Sequence, residues 1–145
     1  MVEELRRRAE LDALTGLYNH TETERRAELY LADKPDTICA MFIIDVDNFK
    51  LVNDGQGHLF GDAVLAELAA GMKKITRKSD VIGRIGGDEF AMFLKDLPSV
   101  SIAEDKARKL LQLFQNLFQG EKQSVEVTCS IGVAVYPWDG SSYQE

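Results

Sequence analysis

The stretch Arg84-Ile85-Gly86-Gly87-Asp88-Glu89-Phe90 lies between two short apolar runs and decides the fold. The runs cover residues 81–85 and 90–94, and each has the length and content of a β-strand. Because glycine adopts positive φ without a steric penalty, the two glycines predict a tight hairpin turn. The two carboxylates that follow could hold a metal ion beside a phosphate. An ordinary surface hairpin with solvated acids is the commoner outcome for so short a motif.

The length and composition predict one globular domain with a core of its own. The chain has 145 residues, of which 45% are hydrophobic and 28% charged, as in water-soluble proteins. No apolar run reaches the length of a membrane span, no secretory signal opens the chain, and Cys39 and Cys129 lie in apolar runs as reduced core thiols would. A cytoplasmic location is therefore expected. The net charge of −7 argues against a nucleic acid polymer as partner, but permits a nucleotide whose phosphates are bridged by a divalent cation.

Hydrophobic periodicity predicts elements in the order helix, strand, helix, strand, strand, helix, strand. This order is typical of an α+β two-layer sandwich with a central, mostly antiparallel sheet of about five strands flanked by helices. Ferredoxin-like and nucleotidyl-cyclase palm folds share that layout. Besides the hairpin strands, the predicted elements are a helix over 22–32 capped by Thr21, a strand over 37–44, a long helix capped by Asp62, a helix over 102–118 and a strand over 125–136.

The charged residues 1–11 predict a linker helix that enters a domain over residues 12–145. Such a helix indicates an upstream sensory domain in the full-length protein, which could itself be anchored in a membrane. The domain would then lie on the cytoplasmic side.

A second group of acids, Asp45-Val46-Asp47, follows the strand predicted over residues 37–44. If the hairpin lies beside this strand, Asp45 converges with Asp88 and Glu89. An all-oxygen site of this kind suits Mg²⁺ or Mn²⁺. Taken alone, the residues also permit Asp47 to cap a short helix over 48–53, with Asp45 as a solvated strand end.

Several motifs in a fixed order resemble the GGDEF family of diguanylate cyclases. The resemblance runs from residues 12–17 through 45–50, 53–62 and 84–90 to 128–133 and on to Asp139-Gly140, nearly the whole chain. It implies that the domain joins two GTP molecules into cyclic di-GMP and releases pyrophosphate. It also implies a transient homodimer in which each subunit holds one GTP.

The resemblance further implies the metal ligands. Asp45, the Val46 carbonyl and Asp88 match ligands of Mg²⁺ or Mn²⁺, and Glu89 matches a ligand of a second ion, so each active site would hold two. The position of Asp88 is also often assigned as general base for the 3′-hydroxyl. Because a metal-bound carboxylate has a low pKa, the role of Asp88 as metal ligand ranks above its role as general base.

Other residues match the family's substrate contacts. Asn53 and Asp62 match the pair that reads guanine, because a carboxylate can accept from guanine N1–H and N2–H together. His58 matches a position near the ribose or base, and a structural loop histidine is the alternative.

The remaining substrate positions concern the triphosphate. Lys50 matches a lysine of the family that binds phosphate and stabilises its charge. Lys50 is therefore assigned a catalytic role together with Asp88 and Glu89. Phe49, Gly86 and Gly87 are assigned to substrate binding, and the glycines would let backbone approach a phosphate.

Arg77 and Asp80 match the family's RxxD site, where the product binds away from the active site and inhibits. Arginine can bind phosphate or guanine with two hydrogen bonds, and aspartate can accept from guanine. A surface ion pair between the two is the alternative.

The chain departs from the family pattern at a few positions. His20 stands where arginine is usual, and Asn48 and Gln56 occupy positions that are often aromatic. The family's last helix has no counterpart before Glu145, so weak GTP affinity and an exposed apolar groove are expected. The alternative to a cyclase is a weak or inactive GGDEF module that senses cyclic di-GMP or GTP. Another nucleotidyl cyclase or a palm-type polymerase would not need both the guanine pair and RxxD.

Overall fold

The structure, a computed structural model, describes residues 9–33, 36–47, 49, 54, 57–118 and 129–136. Within these ranges the helices and strands follow the predicted order. They are α1 (His20–Ala32), β1 (Ile38–Val46), α2 (His58–Lys74), β2 (Val81–Arg84), β3 (Glu89–Leu97), α3 (Val100–Phe118) and β4 (Cys129–Tyr136).

The four strands form one antiparallel sheet in the order β2-β3-β1-β4. β1 lies between β3 and β4, which explains why its sequence is apolar on nearly every position. Four strands in the described part of the chain agree with the predicted α+β architecture and its central antiparallel sheet.

Helices flank the sheet as predicted, but they lie on both of its faces, which makes three layers instead of the predicted two. The larger core lies between α2, α3 and one face, where Phe42, Phe90 and Leu68 are fully buried. α1 packs Ala27 and Leu31 against the other face, near the start of β1 and β2. The opposite end of that second face, where β1 and β3 carry acids, is left for the site.

Both predicted helix caps are wrong. α1 begins at His20 because Asn19, not Thr21, is the N-cap, and its side chain accepts a 2.9 Å hydrogen bond from the Glu22 N–H. α2 begins at His58 after Gly57, whose φ of 90° suits glycine. Asp62 therefore lies inside the first turns of α2 and caps nothing.

Some predictions fall outside the described residues. These are the linker helix before residue 9, the short helix over 48–53 except Phe49, and residues 125–128 of the last predicted strand. No helix in the described ranges is long and apolar enough to cross a membrane. Cys39 is buried and unpaired, and Cys129 is half-buried and unpaired, in agreement with free thiols. Burial, with a further effect of Asp47, raises the pKa of Cys129 to about 11.

Candidate active site

The hairpin between β2 and β3 is present, but its turn differs from the prediction. The Ile85 N–H donates to the Glu89 carbonyl at 2.9 Å, so Gly86, Gly87 and Asp88 form a three-residue connection. Neither glycine has positive φ. The conformational reason for predicting a glycine turn was therefore wrong.

The glycines instead leave space at the tip. A Cβ at Gly87 would meet no atom within 4 Å, and one at Gly86 would only touch the side chain of Glu89. The fold by itself does not require glycine at either position. Room beside bare backbone is what an approaching phosphate needs.

The structure places the hairpin beside β1, as the predicted convergence of the acids requires. Asp45, at the end of β1, lies opposite Glu89 in the register of β1 and β3. The next residue of β1, Val46, donates its N–H to the Asp88 carbonyl at 3.0 Å. The end of β1 and the hairpin tip are thus joined by backbone hydrogen bonds, which hold the three acids on rigid elements.

Asp45 lies in a buried and negatively charged environment. Burial raises the pKa of the Asp45 carboxyl, and the negative charges of Asp88, Glu89 and Asp47 raise it further. Its Oδ1 is buried and accepts no hydrogen bond. A bound cation would relieve both the repulsion and the unpaired oxygen, so these residues fit a divalent metal.

The carboxylates are not yet arranged as ligands. Among the described residues, no three acidic, histidine or cysteine side chains form a preformed metal site. The side chains of Asp88 and Glu89 are half-buried, and that of Asp88 lies within hydrogen-bonding reach of Asp45. Asp47 is instead turned towards β4, where it accepts a 2.7 Å hydrogen bond from Ser130 Oγ.

Arg84 and Asp12 are site residues whose roles the sequence reasoning missed. Arg84 donates to the Gly87 carbonyl from Nη2 at 2.7 Å and from Nε at 3.2 Å. Its Nη1 donates to both carboxylate oxygens of Asp12, at 3.2 and 3.3 Å. Both residues belong to quoted motifs, but they lie 72 positions apart, and nothing in the spacing pairs them.

The predicted guanine and phosphate residues are only partly described. His58 and Asp62 both lie exposed in the first turns of α2, four residues apart and therefore on one side of the helix. Phe49 packs partly buried against the larger core. Asn53 and Lys50 lie outside the described residues, so their roles stay predictions.

Arg77 and Asp80 form the ion pair that the sequence left as an alternative to a product site. Asp80 has a side chain that is only 2% exposed and accepts from the Arg77 N–H (2.9 Å), the Arg77 guanidinium (3.3 Å) and the Lys95 N–H (3.2 Å). Arg77 is 53% exposed and also donates to the Lys95 carbonyl. Together with Lys73 and Lys78 they line an open cavity of about 360 Å³. Asp80 thus stabilises the loop between α2 and β2, while the Arg77 side chain remains accessible.

Comparisons with known proteins agree with this geometry. A family model described as "Diguanylate cyclase, GGDEF domain" matches residues 9–145. The bifunctional diguanylate cyclase/cyclic di-GMP phosphodiesterase MucR of Pseudomonas aeruginosa is 35% identical over 136 residues, which cover 92% of this chain and 20% of MucR. The chain thus spans about a fifth of the length of that relative.

Solved structures are similar over most of their length. A sensory box/GGDEF family protein from Caulobacter crescentus CB15 superposes with a TM-score of 0.80 at 31% identity, covering 94% of this chain and 89% of that one. The GGDEF domain of DgcB from Caulobacter crescentus, solved in complex with c-di-GMP, gives a TM-score of 0.78 at 25% identity, covering 88% and 75%.

Proposed function

Because the chain belongs to the GGDEF family of diguanylate cyclase domains, we propose that it condenses two GTP molecules into cyclic di-GMP. In each of two steps a 3′-hydroxyl oxygen attacks an α-phosphorus, a phosphodiester bond forms, and pyrophosphate leaves. The observation that carries the proposal is the buried Oδ1 of Asp45, which has no hydrogen-bond partner, in a carboxyl group whose pKa is raised by burial and by the charges of Asp88 and Glu89. That arrangement is poorly explained by stability and well explained by a bound cation.

The protein's part in the reaction is to hold charge and geometry. Asp45, the Val46 carbonyl, Asp88 and Glu89 would hold two Mg²⁺ or Mn²⁺ ions, which neutralise phosphate charge and activate the attacking oxygen when bound. Before substrate arrives, the three carboxylates repel one another, and binding of the metal-bound nucleotide relieves that repulsion. The acidic site therefore favours the metal complex of GTP over free nucleotide.

Substrate choice is assigned to residues that follow β1 in the chain, up to the first turns of α2. Asn53 and Asp62 would read guanine, with His58 near the ribose or base. Lys50 and the open backbone of Gly86 and Gly87 would contact the triphosphate.

Assembly and control extend the proposal. One site holds one GTP, so two copies would meet as a transient homodimer in the cytoplasm, under an upstream sensory domain. Product would inhibit by binding at Arg77, whose accessible guanidinium and cationic surroundings suit a phosphodiester. Asp80 would have to exchange an internal hydrogen bond to take part.

The test is to incubate the protein with GTP and Mg²⁺ and identify cyclic di-GMP by chromatography and mass. Asp88→Ala should abolish synthesis and keep the circular dichroism spectrum. Asp105→Ala, which removes an exposed acid on α3, is the matched control and should leave the rate unchanged. Equal rates for wild type and Asp88→Ala would overturn the proposal.

A second function is supported by the DgcB domain, which was solved with c-di-GMP. In that case the chain binds cyclic di-GMP at Arg77 and makes none. Tight binding of cyclic di-GMP by calorimetry, together with no product from GTP, would decide for this sensor function.

A further inference from the structure

The peptide that carries Asp88 is held from two sides. The Val46 N–H of the neighbouring strand β1 donates to the Asp88 carbonyl at 3.0 Å. Two N–H groups of the Arg84 side chain donate to the preceding carbonyl, that of Gly87. These contacts hold the carbonyls on both sides of the Asp88 Cα, and so the backbone from which the Asp88 side chain projects.

Arg84 in turn is fixed by a carboxylate that takes no part in the metal site. Asp12 accepts from Arg84 Nη1 with both oxygens. The Arg84 and Asp12 side chains are 18% and 22% exposed, so water screens their attraction only partly. A single guanidinium therefore spans from Asp12 to the hairpin tip, and its fork geometry suits both contacts at once.

Asp12 belongs to a turn that is itself anchored. Thr15 donates to Asp12 Oδ2 from its backbone N–H at 2.9 Å and from Oγ1 at 2.8 Å. Tyr18 ties the turn to the edge of β2, since its N–H donates to the Ile82 carbonyl and its carbonyl accepts from the Arg84 N–H. The carboxylate of Asp12 is thus fixed relative to the strand that leads to the tip.

We propose that Asp12 and Arg84 are positioning residues which aim the Gly87-Asp88 peptide, and so the Asp88 carboxylate, for metal binding. The proposal rests on the proposed function for its purpose, but not for its geometry. Arg84 acts on the carbonyl of Gly87 directly, and Asp12 acts only through Arg84.

The test measures Mn²⁺ affinity by calorimetry for the wild type, Arg84→Gln, Asp12→Asn and the double variant. Arg84→Gln should bind Mn²⁺ about tenfold more weakly, because one charge-assisted contact to the tip is lost. Asp12→Asn should weaken binding by less, about threefold. The double variant should match Arg84→Gln alone, because Asp12 has no route to the tip once Arg84 is gone.

Two controls separate positioning from general stability. Glu22→Gln removes a buried carboxylate that pairs with Arg25 on α1, and it should lower stability with unchanged Mn²⁺ affinity. If Arg84→Gln does not fold, Arg84→Lys replaces it, since one ammonium cannot span both contacts and should also weaken Mn²⁺ binding severalfold. Unchanged Mn²⁺ affinity in a folded Arg84 variant, or fully additive effects in the double variant, would overturn the proposal.

A second measurement does not depend on the metal. ¹⁵N relaxation of Gly87 and Asp88 without Mn²⁺ should show greater mobility in Arg84→Gln than in the wild type, and no change in Glu22→Gln. If the wild type neither binds Mn²⁺ nor makes cyclic di-GMP, the proposed function fails. The relaxation data then decide the positioning role, and an unchanged tip would refute it.

Discussion

Replacing Asp45 with asparagine should make the metal-free protein more stable while it removes metal binding. In the wild type the Asp45 carboxylate faces the charges of Asp88 and Glu89, and its Oδ1 has no hydrogen-bond partner. Asparagine keeps the shape, removes the charge, and offers an amide N–H₂ that can donate to the facing carboxylates. The substitution Asp45→Asn therefore tests whether these acids are arranged for a cation at the expense of stability.

The expected gain is about 1 to 2 kcal/mol, from relief of repulsion between partly solvated charges a few ångströms apart. For a chain of this length, that raises the melting temperature by about 3 to 7 °C. Mg²⁺ stabilises only a protein that binds it, so the ion should raise the melting temperature of the wild type and not that of Asp45→Asn.

The sign of the pH dependence follows from the raised pKa of Asp45. A carboxyl whose pKa is raised on folding stabilises the fold below its unfolded pKa, and this stabilisation is lost as the pH rises through the folded pKa. The advantage of Asp45→Asn should therefore be full at pH 8 and shrink towards pH 4 (about the unfolded pKa of an aspartate).

The assay is thermal unfolding followed by circular dichroism, at both pH values and with and without Mg²⁺. A parallel variant, Asp105→Asn on the exposed side of α3, should change neither the melting temperature nor the response to Mg²⁺. A lower melting temperature for metal-free Asp45→Asn, or an undiminished Mg²⁺ response, would refute the reasoning about this site.

Three further predictions test other parts of the structure. Gly83→Ala should lower the free energy of unfolding in urea by about 2 kcal/mol or more, because its Cβ would lie 1.8 Å from Thr23 Oγ1. Gly87→Ala, whose Cβ would meet no atom within 4 Å, should keep stability and lose affinity for GTP. Equal stability of the two glycine variants would contradict this. Asp12→Asn should make the free energy of unfolding depend less on pH in acid. Burial alone would raise the pKa of Asp12, but hydrogen bonds and Arg84 lower it overall. The stabilisation by Asp12 is therefore full at neutral pH and is lost as the pH falls below 3.8. An unchanged acid transition would rule out this contribution. Arg77→Ala should relieve inhibition by cyclic di-GMP in a rate assay without unfolding the protein, and retained inhibition would remove Arg77 from the product site.

The order of the elements was predictable because each depends on local hydrophobic pattern. β1 is apolar at every position from Ile38 to Ile44, and α2 carries its apolar side chains near the helical period. The helix starts were not predictable in the same way. Whether Asn19 or Thr21 caps α1 depends on which side chain reaches a free N–H, and both residue types are common N-caps.

In the candidate site, too, the features that depend on local sequence were predictable and those that depend on tertiary contacts were not. That Asp45 ends a buried strand and that Asp88 lies at a hairpin tip follow from the sequence, because strands and turns are local. The raised pKa of Asp45 arises only in the tertiary structure, which buries the end of β1 and brings Asp88 and Glu89 beside it. The freedom of Gly86 and Gly87 was misjudged from sequence, since their backbone is ordinary and their importance lies in the empty space around them.

By itself, therefore, the sequence determined the elements, their order, the acids that could bind a cation and the family to which the motifs belong. Only the tertiary structure decided that Arg84 joins Asp12 to Gly87, and that Asp80 accepts hydrogen bonds from both Arg77 and the Lys95 N–H. The physical reason is that local propensity and periodicity act over a few residues. A hydrogen bond between residues 72 positions apart exists only once the sheet has brought them together.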